Sequence, residues 1–405
     1  MSQTRGSFFG LGIAPGLLAV LDALKFTVPT PIQEAAIPIA VEGKDVVGVA
    51  QTGTGKTLAF GIPMVQRLAQ GKGRGLVLVP TRELAVQISE DLAKFVRAFK
   101  LRATVVIGGE SMSRQIRQLR EHPHIIIATP GRLNDLLEQR QLRLSDVGIL
   151  VLDEADRMLD MGFLPQIERI IKLLPRERQT MLFSATMHPN VLKIASRHMH
   201  LPVRTEIAPS GTAPDLVTQE MYFVQKQRKG ELLGQLLAQY SGSVLLFVRT
   251  KRGATRVARI LRAAGHAAAE IHADRSQAQR TDAMRGFKTG KFRVLVATDI
   301  AARGIDVTDI ELVINYDLPD DIGNYVHRIG RTGRAGKRGH AITFATPDQR
   351  KDVKDIERFM SAAIPVSPQS DIPPEEPALQ LKVAGEKPTF GIRPPRRTHR
   401  RFRRK

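Results

Sequence analysis

No cysteine occurs anywhere in the chain, so disulfides, disulfide-linked partners, thiolate nucleophiles and cysteine-ligated zinc drop out together. That is compatible with a reducing cytosol, and cytoplasmic residence is the expected location. Tryptophan is also absent and tyrosine occurs four times, which leaves few aromatic platforms on which bases could stack. No apolar run reaches the roughly eighteen residues that a membrane span needs. The first twenty residues are free of acids but are broken by Pro15 and four glycines, and no small-residue cleavage pattern follows, so neither a leader nor a membrane partner is expected. Acids are scarce relative to bases: 61 Lys and Arg against 40 Asp and Glu leave a formal charge of +21. Such an excess points to a polyanionic partner, nucleic acid ahead of an anionic membrane surface. The remainder is ordinary. With 42% apolar and 25% charged residues, a chain of 405 residues is not globally disordered and suits two domains plus a tail.

Short apolar runs rich in β-branched residues recur at 46–50, 76–79, 104–107, 125–128, 149–152 and 181–183. They do not alternate with polar residues, the pattern of strands buried on both faces of a parallel sheet. Amphipathic stretches at 82–99 and 112–121 are long enough to be crossover helices. The rhythm restarts at 243–248 and continues through 268–272, 294–297, 312–316 and 341–345. Between the two series, Ala208-Pro-Ser-Gly-Thr-Ala-Pro-Asp215 reads as a linker. The expected organisation is an α/β domain over 1–207, a linker over 208–215, a second α/β domain over 216–365 and a disordered basic tail over 366–405. Each domain should be an open, mostly parallel sheet flanked by helices, with ligands outside the carboxyl ends of the strands. The last fifteen residues hold eight Lys or Arg and no acid, which suits either a nucleic-acid-binding arm or a solubilising tail.

Ala50-Gln-Thr-Gly-Thr-Gly-Lys-Thr57 follows a strand and precedes a helical stretch, the context a phosphate-binding loop requires. Glycines let backbone N–H groups close on phosphate oxygens at the positive end of the next helix. Lys56 can reach the outer phosphates and the Thr57 hydroxyl can ligate Mg²⁺. Ala50 stands where the generic pattern has its first glycine. Leu150-Val-Leu-Asp-Glu-Ala-Asp156 is a buried strand ending in carboxylates, where a metal-organising acid belongs. Asp153 would hold Mg²⁺, partly through water, and Glu154 is placed to deprotonate an attacking water. Together these segments point to hydrolysis of a nucleoside triphosphate.

Asp153-Glu-Ala-Asp156 also resembles the signature of the DEAD-box ATP-dependent RNA helicases, and other segments extend the resemblance over roughly residues 8 to 345. Phe26-Thr-Val-Pro-Thr-Pro-Ile-Gln33 is similar to the adenine-reading Q motif, with Phe8 as the upstream aromatic. Pro80-Thr-Arg-Glu-Leu84, Gly108-Gly109 and Thr129-Pro-Gly-Arg132 resemble RNA-facing motifs, and Ser184-Ala-Thr186 the segment that couples hydrolysis to unwinding. Gln277-Ala-Gln-Arg280, Val296-Ala-Thr-Asp-Ile-Ala-Ala-Arg-Gly-Ile-Asp306 and Tyr325-Val-His-Arg-Ile-Gly-Arg-Thr-Gly-Arg334 continue the series in order. Compact length and a short basic tail look most like the bacterial RhlE-like subgroup. Lys25 stands where the Q motif usually has glycine, and His272-Ala-Asp274 replaces a commoner His-Gly-Asp.

The resemblance implies two tandem RecA-like domains and an RNA-stimulated ATPase that uses ATP and Mg²⁺. Phe26 and Gln33 would recognise adenine, Thr52, Gly53, Thr54, Gly55, Lys56 and Thr57 the phosphates, and Asp306 the ribose. Arg331 and Arg334 would act as arginine fingers on the γ-phosphate, so hydrolysis would need both domains closed on one ATP. Ser184 and Thr186, with His327 and Arg328, would couple the domains. RNA would be held through its backbone, with little sequence preference, by Thr81, Arg82, Gly109, Thr129, Gly131 and Arg132 in the first domain and Thr250 and Thr298 in the second. Structured or duplex RNA is the expected partner, with ribosome-assembly or RNA-degradation proteins as candidate protein partners. The competing readings are an ATP-gated RNA clamp or annealing factor, and a DNA helicase.

Overall fold

The computed structural model describes residues 7–50, 53–71, 73–187, 189–207, 217–302, 310–333 and 338–371. Among them, thirteen strands form two sheets. The first contains β1 (Val46–Val49), β2 (Arg74–Leu78), β3 (Ala103–Val106), β4 (Ile125–Ala128), β5 (Val147–Leu152), β6 (Gln179–Ser184) and β7 (Val203–Glu206) in the order β3-β4-β2-β5-β6-β1-β7. The second contains β8 (Val217–Phe223), β9 (Val244–Phe247), β10 (Ala268–Ile271), β11 (Val294–Ala297), β12 (Leu312–Asn315) and β13 (Gly339–Ala345) in the order β10-β11-β9-β12-β13-β8. Neighbouring strands are parallel throughout. No helix among the described residues is long and apolar enough to cross a membrane.

The uninterrupted apolar runs follow from helices covering both faces. Val77, Ile125, Ile127, Ile149, Val151 and Met181 pack into one cluster, while Leu76, Ile126, Leu150, Leu152 and Leu182 pack into another on the opposite face. Successive side chains alternate between the two faces, so each face needs its own apolar set. The second sheet is divided the same way, with Leu245, Ile271 and Val313 on one face and Val244, Leu246 and Ile314 on the other.

Two strands lack this signal. β7 pairs only with β1 and its residues are largely exposed; β8 lies at the rim of the second sheet and contains Thr218, Gln219 and Glu220. An edge strand covered on fewer sides has no need of a continuous apolar run, which is why the sequence pattern skips both. The second domain also holds its chain beyond residue 365. Met221 N–H donates to the Pro365 carbonyl, Ser367 N–H to the Met221 carbonyl and Asp371 N–H to the Phe223 carbonyl, each at 2.8 Å. This segment occupies part of the free edge of β8, satisfying backbone groups that an edge leaves open. The linker 208–215 and the tail from 372 onward lie outside the described residues.

The helix Pro15–Ala23 ends in a Schellman motif: Phe26 N–H donates to the Leu21 carbonyl and Lys25 N–H to the Asp22 carbonyl, both at 2.9 Å. Lys25 is left-handed there, with φ 62°. A left-handed position of this kind favours glycine, which has no Cβ to strain. Lys25→Gly is expected to raise stability by about 0.5–1 kcal/mol, because relief of left-handed strain outweighs the added freedom of the unfolded chain. The check is a higher denaturant midpoint at unchanged slope; a lower midpoint would mean that the lysine side chain contributes contacts that glycine lacks.

Candidate active site between the two domains

Strand order assembles the site. β5, β6 and β1 are adjacent, and their carboxyl ends carry Asp153–Asp156, Ser184–Thr186 and the loop after Ala50. β3, β4 and β2 form the other half of the sheet, and their carboxyl ends carry Gly109, Thr129–Arg132 and Thr81–Arg82. The candidate phosphate and RNA residues therefore occupy separate halves of one rim.

Gly55 precedes the helix Lys56–Ala69 with φ 94°, and a Cβ there would lie 2.5 Å from Gln33 Nε2. The Gln33 amide accepts from Thr30 N–H at 2.9 Å, within a capping box that opens the helix Pro31–Val41, and donates to the Gly55 carbonyl at 3.0 Å. An amide has a second N–H and a second lone pair, so Gln33 can hold the loop and still meet a base. Phe26 is 42% exposed beside the Schellman turn, and an aromatic in that state can offer a ring face to a ligand. Phe8 is instead buried in the core of the first domain. Lys56 is buried, and its ammonium donates to the Ala50 carbonyl at 2.9 Å, folding back over its own loop. Thr52 lies outside the described residues, as do Asp306 and Arg334.

Asp153, Glu154 and Asp156 are all buried. Glu154 adopts a left-handed backbone, φ 52° and ψ 49°, a strained state for a non-glycine residue that persists only where surroundings enforce it. Arg157, three residues on, donates from Nη1 to Glu154 Oε2 at 2.9 Å, with both side chains almost wholly covered. Burial works to raise the Glu154 carboxyl, but Arg157, Lys56 and Arg331 overcome it and leave the group below its ordinary value. Arg331 belongs to the second domain, so the electrostatics of Glu154 already depend on both halves of the chain. Asp156 faces the other way: its Oδ2 accepts from Ala185 N–H at 3.0 Å, Thr186 N–H at 2.8 Å and Thr186 Oγ1 at 3.1 Å. Ser184 Oγ donates to the Thr186 carbonyl at 2.7 Å. The acidic turn and the Ser184–Thr186 segment thus form one hydrogen-bonded unit.

On the RNA half, Thr81 Oγ1 accepts from Leu84 N–H at 3.2 Å and caps the helix Arg82–Ala98. Thr250 does the same for the helix Lys251–Ala263, accepting from Gly253 N–H at 3.0 Å. Each hydroxyl fixes a helix start whose free N–H groups suit a phosphate oxygen. The Arg82 guanidinium lies against Gly109, which is left-handed at φ 80° and where a Cβ would push that guanidinium aside. Arg132 donates from Nη1 to the Glu110 carbonyl at 3.1 Å, Thr129 precedes the helix Pro130–Glu138, and Gly131 faces open space. Thr298 N–H donates to the Ile271 carbonyl at 3.3 Å, following β11 in the second domain.

In the second domain, Arg331 is buried and donates from Nε to the His327 carbonyl at 3.2 Å. Burial, then Arg157 and Arg331, hold His327 well below its ordinary value and therefore neutral. Arg328 lines the cavity that also contains Arg157, but its hydrogen bonds among the described residues stay on its own side. It forks onto Asp299 at 2.5 and 2.6 Å and donates to Asn315 Oδ1 and the Asp317 carbonyl, all within its own domain. Its guanidinium is consumed in joining β9, β12 and the turn after β11, where a planar fork can satisfy several acceptors at once.

One contact across the cleft is made by residues that had no individual role in the motif reading. Arg280 Nη2 pairs with Glu83 Oε2 at 2.6 Å, with both side chains nearly covered, and Gln277 Nε2 reaches Glu83 Oε1 at 3.4 Å. Glu83 lay in plain view inside Pro80–Leu84, but an acid among RNA-facing residues carries no sign of its partner. Glu83→Gln and Arg280→Gln are each expected to reduce RNA-stimulated turnover. The double variant should lose less than the sum, with a coupling of about 0.5–3 kcal/mol for groups in direct contact. Additive losses would dismiss the pair as a closure contact.

Residues 30–194 match the DEAD/DEAH box helicase family and residues 228–336 match the helicase conserved C-terminal domain. The chain belongs to the DEAD/DEAH box helicase family. An ATP-dependent RNA helicase, CshA of Listeria monocytogenes, is 44% identical over 388 residues, spanning 95% of this chain and 74% of the relative. The structure of Saccharomyces cerevisiae Dbp5 bound to RNA and ADP BeF3 aligns at a TM-score of 0.80 and 31% identity, over 89% of this chain and 95% of that one. A DEAD box protein from the hyperthermophile Methanococcus jannaschii is 36% identical over 89% of this chain and 99% of that one, yet its TM-score is 0.51. Over both domains together, the backbone of this chain is thus more like that of Dbp5 than that of the Methanococcus protein.

Proposed function

We propose that the protein is an ATP-dependent RNA helicase that closes its two domains around one ATP and one RNA backbone and separates short duplexes locally, with each cycle ended by ATP hydrolysis. The observation that carries this reading is geometric: His327 and Arg331 of the second domain line one cavity with Arg157, whose guanidinium holds Glu154 of the first. A centre divided in this way turns over only when closed, and two ligands that both favour closure must bind cooperatively. RNA bent by closure cannot stay in an A-form duplex, so a few pairs open.

Within this proposal Lys56 contacts the outer phosphates, Glu154 takes the proton from the attacking water, and Arg331 with Arg334 meets the charge on the γ-phosphate. Mg²⁺ is the proposed metal. Thr57 and Asp153 offer hard oxygen donors, and burial pushes the Asp153 carboxyl up to about 6 against the pull of Lys56, as suits an acid placed to face a cation. When bound, the ion would offset charge on the phosphate oxygens.

The test is ATP turnover with and without RNA, alongside strand separation of matched RNA and DNA duplexes. Turnover should rise on adding RNA, and RNA duplexes should open preferentially. Turnover indifferent to RNA would sink the coupling, and equal action on DNA would favour a DNA helicase. RNA release independent of hydrolysis would favour a clamp or annealing factor. The basic tail is proposed to add RNA affinity, so deleting 391–405 should flatten the salt dependence of binding. The RhlE-like subgroup reading has only chain length and that tail behind it, whereas bacterial relatives such as those of Listeria monocytogenes and Bacillus cereus carry the name CshA. Cytoplasmic residence, suited to a chain without cysteine, and partners in ribosome assembly or RNA degradation are part of the proposal; fractionation and cross-linking in cells check them.

A further inference from the structure

Arg157 is 1% exposed and, with Arg328, is one of the two largest wholly buried side chains among the described residues. A guanidinium so deeply covered is costly unless paired, and an apolar residue of similar size would often serve stability as well or better. Its surroundings point to another role. Nη1 holds Glu154 Oε2 at 2.9 Å, and the Arg157 N–H donates to Asp156 Oδ1 at 2.9 Å, fixing the start of its short helix. Arg157 also lines a small cavity together with Asn324, His327, Arg328 and Arg331 from the second domain. His327 Nδ1 is buried there without a partner among the described residues. Arg157 is thus gripped by the acid next to Asp153 and shares a cavity with the helix Ile322–Ile329 of the second domain, which comes near it only when the domains meet.

We infer that Arg157 is a positioning residue for turnover: it fixes the Glu154 carboxylate in its left-handed setting, and the second domain in turn fixes Arg157, so that closure orients the group that receives the proton. The inference rests on the reading of Glu154 as the base. The rival role is charge compensation alone, in which any cation at 157 would serve. The two differ in geometry. A guanidinium presents a flat fork to Glu154 and to the cavity together, whereas an ammonium is a point charge on a flexible stem.

The experiment compares full-length Arg157→Lys and Arg157→Gln with the unmodified protein. It reads RNA-stimulated kcat, the KM for ATP, single-stranded RNA affinity in ADP with beryllium fluoride, and melting temperature. Arg157→Lys should keep the fold, with KM and RNA affinity within about threefold, while kcat falls roughly 10–100-fold, the scale expected for a reacting group displaced by about an ångström. Arg157→Gln should lose kcat at least as strongly, and supplies the comparison if the lysine variant does not fold. Unmodified kcat in Arg157→Lys would reduce the residue to a counter-ion. Parallel losses in KM, RNA affinity and kcat would make it scaffold. Glu154→Gln separates the two layers: if it still turns over, the base reading fails and the inference with it; if it stops while Arg157→Lys does not, the inference alone fails.

Discussion

Glutamine in place of Glu154 should lower RNA-stimulated ATP turnover by about 100- to 10,000-fold, the range for losing a general base, while ATP and RNA remain bound. The amide keeps the shape of the carboxylate and an oxygen to accept from Arg157, whose Nη1 lies 2.9 Å from Oε2. It cannot take a proton from water. Loss of the charge leaves Arg157 with a neutral acceptor, and the weakened bond is expected to cost about 1.5–3 kcal/mol of stability, enough to lower the melting temperature without unfolding a chain of this size. Because reopening is tied to loss of the γ-phosphate, the variant should also hold RNA far longer in the presence of ATP. Phosphate release and RNA dissociation, measured together, check both halves. Turnover within threefold of the unmodified protein would exclude Glu154 as the base, and fast RNA release without hydrolysis would break the link between chemistry and opening.

How much of this was legible in the sequence depends on the kind of interaction. Strands such as Ile125–Ala128 announce themselves because burial on both faces demands apolar residues at consecutive positions. The loop Ala50–Thr57 and the Asp153–Asp156 turn are equally visible, since phosphate and metal chemistry narrows the residue types that serve. β7 and β8 are silent because backbone pairing at a sheet edge constrains side chains weakly. The roles of Arg157, Glu83 and Arg280 are silent for a different reason. An ion pair is specified by two positions that only the fold brings together, 197 residues apart for Glu83 and Arg280, since 280 − 83 = 197. Arg328 shows the converse. A motif resemblance suggests that an arginine serves the interdomain network, yet cannot say whether its fork is spent on Asp299 of its own domain or on the domain opposite.

Removing the Arg331 side chain as Arg331→Ala should reduce turnover by about 1,000- to 100,000-fold, the scale of an arginine finger, with much smaller effect on the affinity of the first domain for ATP. Arg331 is 2% exposed and its Nε donates to the His327 carbonyl at 3.2 Å, so the guanidinium is held in place before any ligand binds. Prior orientation is what makes such a group effective, since little reorganisation is left for the moment when charge builds on the γ-phosphate. The same residue helps to keep the Glu154 carboxyl low, so its loss would also disturb the base. Arg331→Lys should recover only a small part of the loss, because an ammonium restores charge without the fork. The informative comparison is between nucleotide affinity and rate. A rise in ATP Kd that matched the fall in kcat would make Arg331 a binding residue. Unaltered turnover would mean that the first domain carries a complete catalytic centre, and closure of the two domains would then serve RNA binding alone.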